Sequence, residues 1–176
     1  GKIHSCQILF SGDGDYTFSV RCEDLAGHRT EQTEKGFTVD RTPPKVTVTF
    51  TEEGQEGKGR YYRAPRTAEI IVEEHNFSEE QVTGGAAALL DRGESRSWEL
   101  PEFDSRGDIH TVSLVFSEDG DYRFLTECAD LAGNLAAVLP AEEFSIDSMP
   151  PAIEIFGLED ESANRGAVEA KIRVSD

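Results

Sequence analysis

The feature that most constrains this chain is that it contains a stretch of itself twice. The segment FSGDGDYTFSVRCEDLAGH, from Phe10 to His28, returns as FSEDGDYRFLTECADLAGN, from Phe116 to Asn134, with twelve of nineteen positions identical at an offset of 106 residues. After one extra residue the match resumes, FTVDRTPPKVTV from Phe37 aligning with FSIDSMPPAIEI from Phe144 at an offset of 107. A weaker echo pairs AEIIVEE from Ala68 with AKIRVSD from Ala170. A fixed period of this kind means that one structural unit recurs, and a unit of about 107 residues is large enough to close its own core. The 176 residues therefore divide into residues 1–40, the C-terminal part of a first unit; 41–147, a complete second unit; and 148–176, the N-terminal part of a third. Thr42-Pro43-Pro44 and Met149-Pro150-Pro151 mark the junctions, where consecutive prolines stiffen an extended connection and donate nothing to a ladder.

Within the complete unit the apolar period is two. Lys45 to Phe50, Ala68 to Glu73 and Ile109 to Phe116 alternate, the last with Val112, Leu114 and Phe116 on one face, which predicts half-buried strands. Tyr122, Phe124, Thr126 and Cys128 form the inward series of the next strand, and Phe144 and Ile146 belong to the last. Asp119-Gly120-Asp121 and Ala132-Gly133-Asn134 read as turns. Ser78 to Trp98 is the least legible stretch. Ser78 with Gln81 suits a capping box, and Ala86 to Leu90 suits helix or strand; strand is favoured for Val82 to Leu90, with Trp98 as a large core residue. Short strands separated by such turns indicate an all-β sandwich.

Charge narrows the partners. Seventeen Lys and Arg against 35 Asp and Glu leave a net charge of -18, which repels phosphate backbones and anionic lipid surfaces and argues against nucleic acid as a partner. No apolar run approaches the ~20 residues of a membrane span. With neither a leader of the signal-peptide type at the start nor an anchor at the end, the sequence reads as a piece of something longer.

The order strand, Asp-Gly-Asp-Tyr, strand resembles the tyrosine corner of immunoglobulin-like folds, with Tyr16 and Tyr122 in the role of the residue that bonds back to the corner backbone. More specifically, DGDYTFSVRCEDLAG, FTVDRTPPKVTV, RTAEIIVEEHNF and GDIHTVSLVF resemble the bacterial Ig-like repeats of very large surface and cell-wall proteins of Gram-positive bacteria. The resemblance covers essentially all of the chain except Ser78 to Ser97. It implies tandem immunoglobulin-like β-sandwiches in an extracellular setting, at the cell surface or cell wall. The implied role is a spacer that presents a distal domain, with neighbouring repeats as partners. The alternative is an adhesin module that binds a host surface glycan or protein. His28 stands where the second copy has Asn134, the family's usual residue, so some strain is expected in the first turn.

Catalysis is not expected. Carboxylate pairs such as Glu73 with Glu74 or Asp13 with Asp15 arise unavoidably in so acidic a chain, and adjacent side chains on a strand face opposite ways. His4, His28, His75 and His110 lie in unrelated segments without zinc-site spacing. No cofactor is expected, with calcium the one open question. Asp13, Asp15 and Asp24 match EF-hand positions 1, 3 and 12, but Phe18 stands where that loop needs Gly. A junction site is the better candidate: Asp40 and Asp147 precede the proline pairs, and Asp24 and Asp130 lie in nearby turns, where oxygen ligands from two units can meet. The simpler reading is that Asp24 and Asp130 cap their own turns. Arg106-Gly107-Asp108 spells an integrin-recognition tripeptide, but Gly-Asp is also what a turn needs. Cys6, Ile8 and Phe10 share one face, as do Tyr16, Phe18, Val20 and Cys22, so both thiols are expected to point inward. A Cys6–Cys22 disulfide is conceivable, but Val112 stands at the Cys6 position of the second unit, so buried free thiols are favoured.

Overall fold

The computed structural model describes residues 3–33, 36–51, 59–90, 93–158 and 163–176. The described residues are mostly β, with a 3-10 turn at Glu79–Gln81. Among the described residues no helix is long and apolar enough to cross a membrane. Four strands precede the central region: β1 (Gly14–Tyr16), β2 (Ser19–Glu23), β3 (Arg29–Thr33) and β4 (Phe37–Val39). They form two small antiparallel ladders, β1 with β4 and β2 with β3.

Residues 45–146 build two larger sheets. The first contains β5 (Lys45–Phe50), β7 (Arg66–Glu73), β10 (Asp104–Arg106) and β11 (Ile109–Phe116), in the order β10-β11-β7-β5. The second contains β6 (Tyr61–Tyr62), β8 (Val82–Leu90), β9 (Ser95–Glu99), β12 (Gly120–Cys128) and β13 (Glu142–Ile146), in the order β6-β13-β12-β8-β9. Every pairing is antiparallel except the short β6–β13 contact. A last hairpin joins β14 (Ala152–Phe156) to β15 (Lys171–Ser175).

The period-two pattern sets which faces meet. On β11, Val112, Leu114 and Phe116 are buried; on β12, Tyr122, Phe124, Thr126 and Cys128 are buried, and the residues between point to solvent. The two sheets close on each other around Phe116, whose ring centroid lies 5.2 Å from those of Tyr122 and Phe144 and 6.2 Å from that of Phe124. Val82–Leu90 is a strand, and Gly84 and Gly85 explain why it packs closely: a Cβ on Gly85 would stand 2.0 Å from the carbonyl oxygen of Trp98. Ser78 is the N-cap of the 3-10 turn but makes no side-chain cap bond, so the capping box does not form. Trp98 lies on the edge strand β9 and is only partly buried, packing against Phe116 and Tyr122 at the margin of the core rather than at its centre.

Arg66 is a buried cation beside the core. The Arg66 guanidinium sits 4.4, 4.1 and 4.8 Å from the ring centroids of Phe50, Tyr62 and Phe144, and its Nη1 donates to Glu142 at 3.1 Å. Three aromatic faces and one carboxylate thus replace the water that a buried cation gives up.

The cysteines do not follow the expectation. Cys128 is buried, but Cys6 and Cys22 are exposed free thiols. Cys128 lies in a two-layered core, whereas no second layer packs on residues 3–33 among the described residues, so an inward-facing side chain there still meets solvent. Burial pushes the Cys128 thiol up to about 11. In dilute native protein a disulfide-exchange reagent should therefore titrate two thiols rapidly and the third only on unfolding; three equal rates would contradict this burial. Phe116→Ala should cost about 3–5 kcal/mol in urea unfolding of the central domain, and an unchanged midpoint would contradict the placement of Phe116.

Candidate junction site

The first of the two proline junctions holds a dense polar site. β4 ends at Val39, and Asp40 follows at the point where the chain passes into Arg41-Thr42-Pro43-Pro44. One carboxylate oxygen of Asp40 accepts the Thr42 backbone N–H at 2.9 Å, an Asx turn that fixes the start of the linker. The other accepts the Asn76 side-chain amide at 2.7 Å, and the Asp40 carbonyl accepts the Asn134 amide at 3.2 Å. Asn76 follows β7 and Asn134 follows β12, so Asp40, between β4 and β5, is held by two amides next to strands of the larger sheets.

Those amides are themselves positioned. Asn134 donates its backbone N–H and its side-chain amide to the two oxygens of Asp130, at 2.8 and 2.7 Å, closing a turn in which Gly133 takes a φ of 87°. The Asn76 N–H donates to Glu74 at 2.6 Å, and the Asn76 carbonyl accepts Leu131 N–H at 3.0 Å, which ties the end of β7 to the Asp130 turn. Beneath them the buried His110 stacks on Phe77, with centroids 3.8 Å apart. Its Nε2 lies 2.9 Å from the Glu74 carbonyl and its Nδ1 2.8 Å from Ser105 Oγ. A carbonyl only accepts, so the proton on Nε2 is the one that makes this bond.

Carboxylate oxygens of Asp40, Glu74 and Asp130 lie within 4.8 Å of one another. Asp130 and Glu74 are buried and Asp40 half-buried. The donors that reach them are neutral amides: backbone N–H groups of Thr42, Asn76 and Asn134 and the two asparagine side chains. Like charges this close repel, and neutral donors offset only part of that. Hard oxygen ligands, three of them anionic and with amide and main-chain carbonyl oxygens nearby, make a donor set suited to Ca²⁺. Of the four candidates read from the sequence, the structure brings Asp40 and Asp130 together; Glu74, the third carboxylate, stood in the sequence only as one of an adjacent pair with Glu73 and was not among the metal candidates. Asp24 and Asp147 are elsewhere. Asp24 accepts the N–H groups of Ala26 and His28, each at 2.9 Å, and the His28 ring at 2.9 Å, so it caps its own turn. His28 thereby makes the bonds that Asn134 makes in the other copy. The His28 hydrogen bond is also the main cause that holds the Asp24 carboxyl below its ordinary value.

A second layer of contacts rims the junction. Asp13 accepts Arg41 Nε and Thr42 Oγ1, both at 2.9 Å, and these hydrogen bonds lower its pKa. His75 lies between Asp108, 2.9 Å from Nδ1, and Asp15, 3.2 Å from Nε2. The hydrogen bond to Asp108 and then that to Asp15 hold the His75 pKa above its ordinary value. Asp108, from the Arg106-Gly107-Asp108 turn, is thus engaged within the chain, and Arg106 pairs with Asp104.

Part of this bonding recurs at the second proline pair, though among the described residues Asp147 has no counterpart of the Asn76 and Asn134 bonds. Asp147 accepts Met149 N–H at 3.1 Å as Asp40 accepts Thr42 N–H, and Asp119 accepts the N–H and Oγ of Ser148, each at 3.0 Å, as Asp13 accepts Arg41 and Thr42. Ser145 donates to Asp121 as Thr38 donates to Asp15. Clefts of about 560 and 630 Å³ lie at the two junctions, lined by Asp13, Asp15, Asp40 and Glu74 in one and by Asp119, Asp121, Asp147 and Asp176 in the other. No family model matches the chain, and no curated protein matches its sequence.

Removing the buried acceptor of Asn134 should be costly. Asp130→Ala is expected to destabilise the central domain by about 1–3 kcal/mol, because the Asn134 donors lose their partner where water does not reach. Asp24→Ala, at an exposed turn, should leave that unfolding midpoint unchanged. Equal losses for the two variants would contradict the role given to burial.

Proposed function

We propose that this chain is a non-catalytic, structural stretch of tandem immunoglobulin-like repeats, a spacer of a bacterial cell-surface or cell-wall protein that presents a distal domain. The observation that carries the reading is the pair of proline-marked connections: Asp40 and Asp147 each accept the N–H two residues on, and Asp13 and Asp119 each bind the residues that follow. Connections that begin alike, the first of them held further by Asn76 and Asn134, support the reading of a strut.

The fold supports the immunoglobulin-like part of the reading. The order β10-β11-β7-β5 corresponds to strands D-E-B-A, and β13-β12-β8 to G-F-C. Tyr122 Oη donates to the Glu118 carbonyl at 2.6 Å and Tyr16 Oη to the Gly12 carbonyl at 2.8 Å, the backward bond of a tyrosine corner. The sequence identity between the two DGDY segments supports the tandem part.

A second element concerns calcium, and the observation that favours it is the convergence of Asp40, Glu74 and Asp130. A divalent cation there would bind oxygens from both sides of the linker and stiffen the connection. Because a ligand that binds only the native state raises stability by mass action, calcium should raise the melting temperature. It should also lengthen the maximum dimension in small-angle scattering, and chelator should reverse both. No change in either quantity would remove calcium from the account. A compact, folded-back particle with and without calcium would contradict the spacer, and retention of the chain on a host glycan or host protein array would favour an adhesin.

A further inference from the structure

The two copies of the repeated segment part company just after their matched turns. Residues 29–33 read RTEQT, whereas the positions 106 residues on, 135–139, read LAAVL and lead into Pro140. The polar run keeps its ladder: β3 pairs with β2 through five consecutive residues, from Ser19 opposite Thr33 to Glu23 opposite Arg29. The apolar run leaves it. On β12 the described residues retain only the bridge between Ala129 and Leu135 and the bond from the Ala136 N–H to the Cys128 carbonyl, and pairing resumes at Phe124 opposite Glu142. In between, Leu125, Thr126 and Glu127 pair with β8 on one side and, among the described residues, with no strand on the other. Proline has no N–H to give a ladder, so Pro140 suits the gap.

The gap holds a cavity of about 170 Å³. Val48 and Phe50 of β5, Phe124 and Leu125 of β12, and Leu139 and Pro140 of the connection line it, together with Thr126 and Glu142. Those two polar side chains are already engaged. Thr126 Oγ1 donates to the Thr83 carbonyl at 3.5 Å, and Glu142 accepts Arg66 Nη1 at 3.1 Å. A buried water needs about two to four polar partners, and an apolar cavity without them takes an apolar guest instead.

We infer that this cavity is a binding site for a small molecule built on one neutral aromatic ring. Size is the first reason: an apolar cavity of about 150 Å³ is enough to hold benzene. Ring geometry is the second. Phe50 and Phe124 meet edge to face, with centroids 5.6 Å apart and planes at 88°, and a further ring can join them in the same favoured arrangement. Charge is the third. The Glu142 carboxylate is paired with Arg66, so a cationic guest finds no free countercharge and an anionic one meets a like charge, and neither recovers the cost of leaving water. In the first copy the ladder is closed at the equivalent positions, so the opening is a property of residues 135–140 and not of the repeated segment as such.

Benzene titrated into the full chain, followed on the side-chain methyl groups by NMR, tests this. Saturable shifts are expected at Val48, Leu125 and Leu139, and the melting temperature should rise with benzene concentration by mass action. Benzoate and benzylammonium should produce neither effect. Leu139→Phe, which places a ring in the cavity, should lose the benzene response while its methyl spectrum stays dispersed. Val48→Phe fills the same space from the opposite strand and serves where Leu139→Phe does not fold. Shifts in the wild type that grow without saturating or spread over the surface, or a folded filling variant that responds to benzene as the wild type does, would overturn the inference.

Discussion

The contact between Phe116 and the rings of Tyr122, Phe124 and Phe144 is what the rest of the structure depends on. A single antiparallel sheet leaves one apolar face in water, and only a second layer removes it. Phe116 ends β11 in one sheet, and the three partner rings stand on β12 and β13 in the other. Rings at 5–6 Å in mostly edge-to-face geometry fix the spacing and offset of the sheets as well as filling the gap between them.

The junction works by a different principle. It has no large apolar contact. Instead it concentrates hydrogen bonds on one residue, Asp40, whose carboxylate and carbonyl engage the linker, Asn76 and Asn134. Such bonds are short-ranged and directional, so they set an angle between units more sharply than an apolar patch would, while each adds little to overall stability. The burial of Asp130 and Glu74 gives the site its stiffness, because their partners cannot exchange protein for water. The exposed copy of the turn, around Asp24, carries the same bonds without that enclosure.

Much of the fold was legible because alternation and repetition are both one-dimensional signals. The inward rows on β11 and β12 follow directly from a period of two, and the matching bonds of Tyr16 to the Gly12 carbonyl and Tyr122 to the Glu118 carbonyl follow the repeated Asp-Gly-Asp-Tyr. Val82–Leu90 was harder, since a run of Gly and Ala has no period; it is a strand because its glycines admit the close approach of the Trp98 carbonyl and the Thr126 side chain. What failed depended on three-dimensional context. Alternation put Cys6 and Cys22 on inward faces, but both are exposed, because whether such a face is buried depends on what lies opposite. Nothing in the sequence singles out Arg66, and only the convergence of Phe50, Tyr62 and Phe144 makes a buried site for it. At the junction, Asp40 and Asp130 stood out by their position beside prolines and a Gly-Asn turn. Glu74 did not, because one of two adjacent glutamates at a strand end carries no distinguishing signal.

The central claim is that Asp40 and the amides around it hold successive units at a fixed angle. A distance distribution between two spin labels tests it most directly, one at the native Cys22 in a Cys6→Ser background and one at Val115→Cys on the exposed face of β11. The account predicts a single narrow distribution for the otherwise native chain, and a broad one once Asn76→Ala and Asn134→Ala are added. A broad distribution before those substitutions, or one that they leave unchanged, would contradict it.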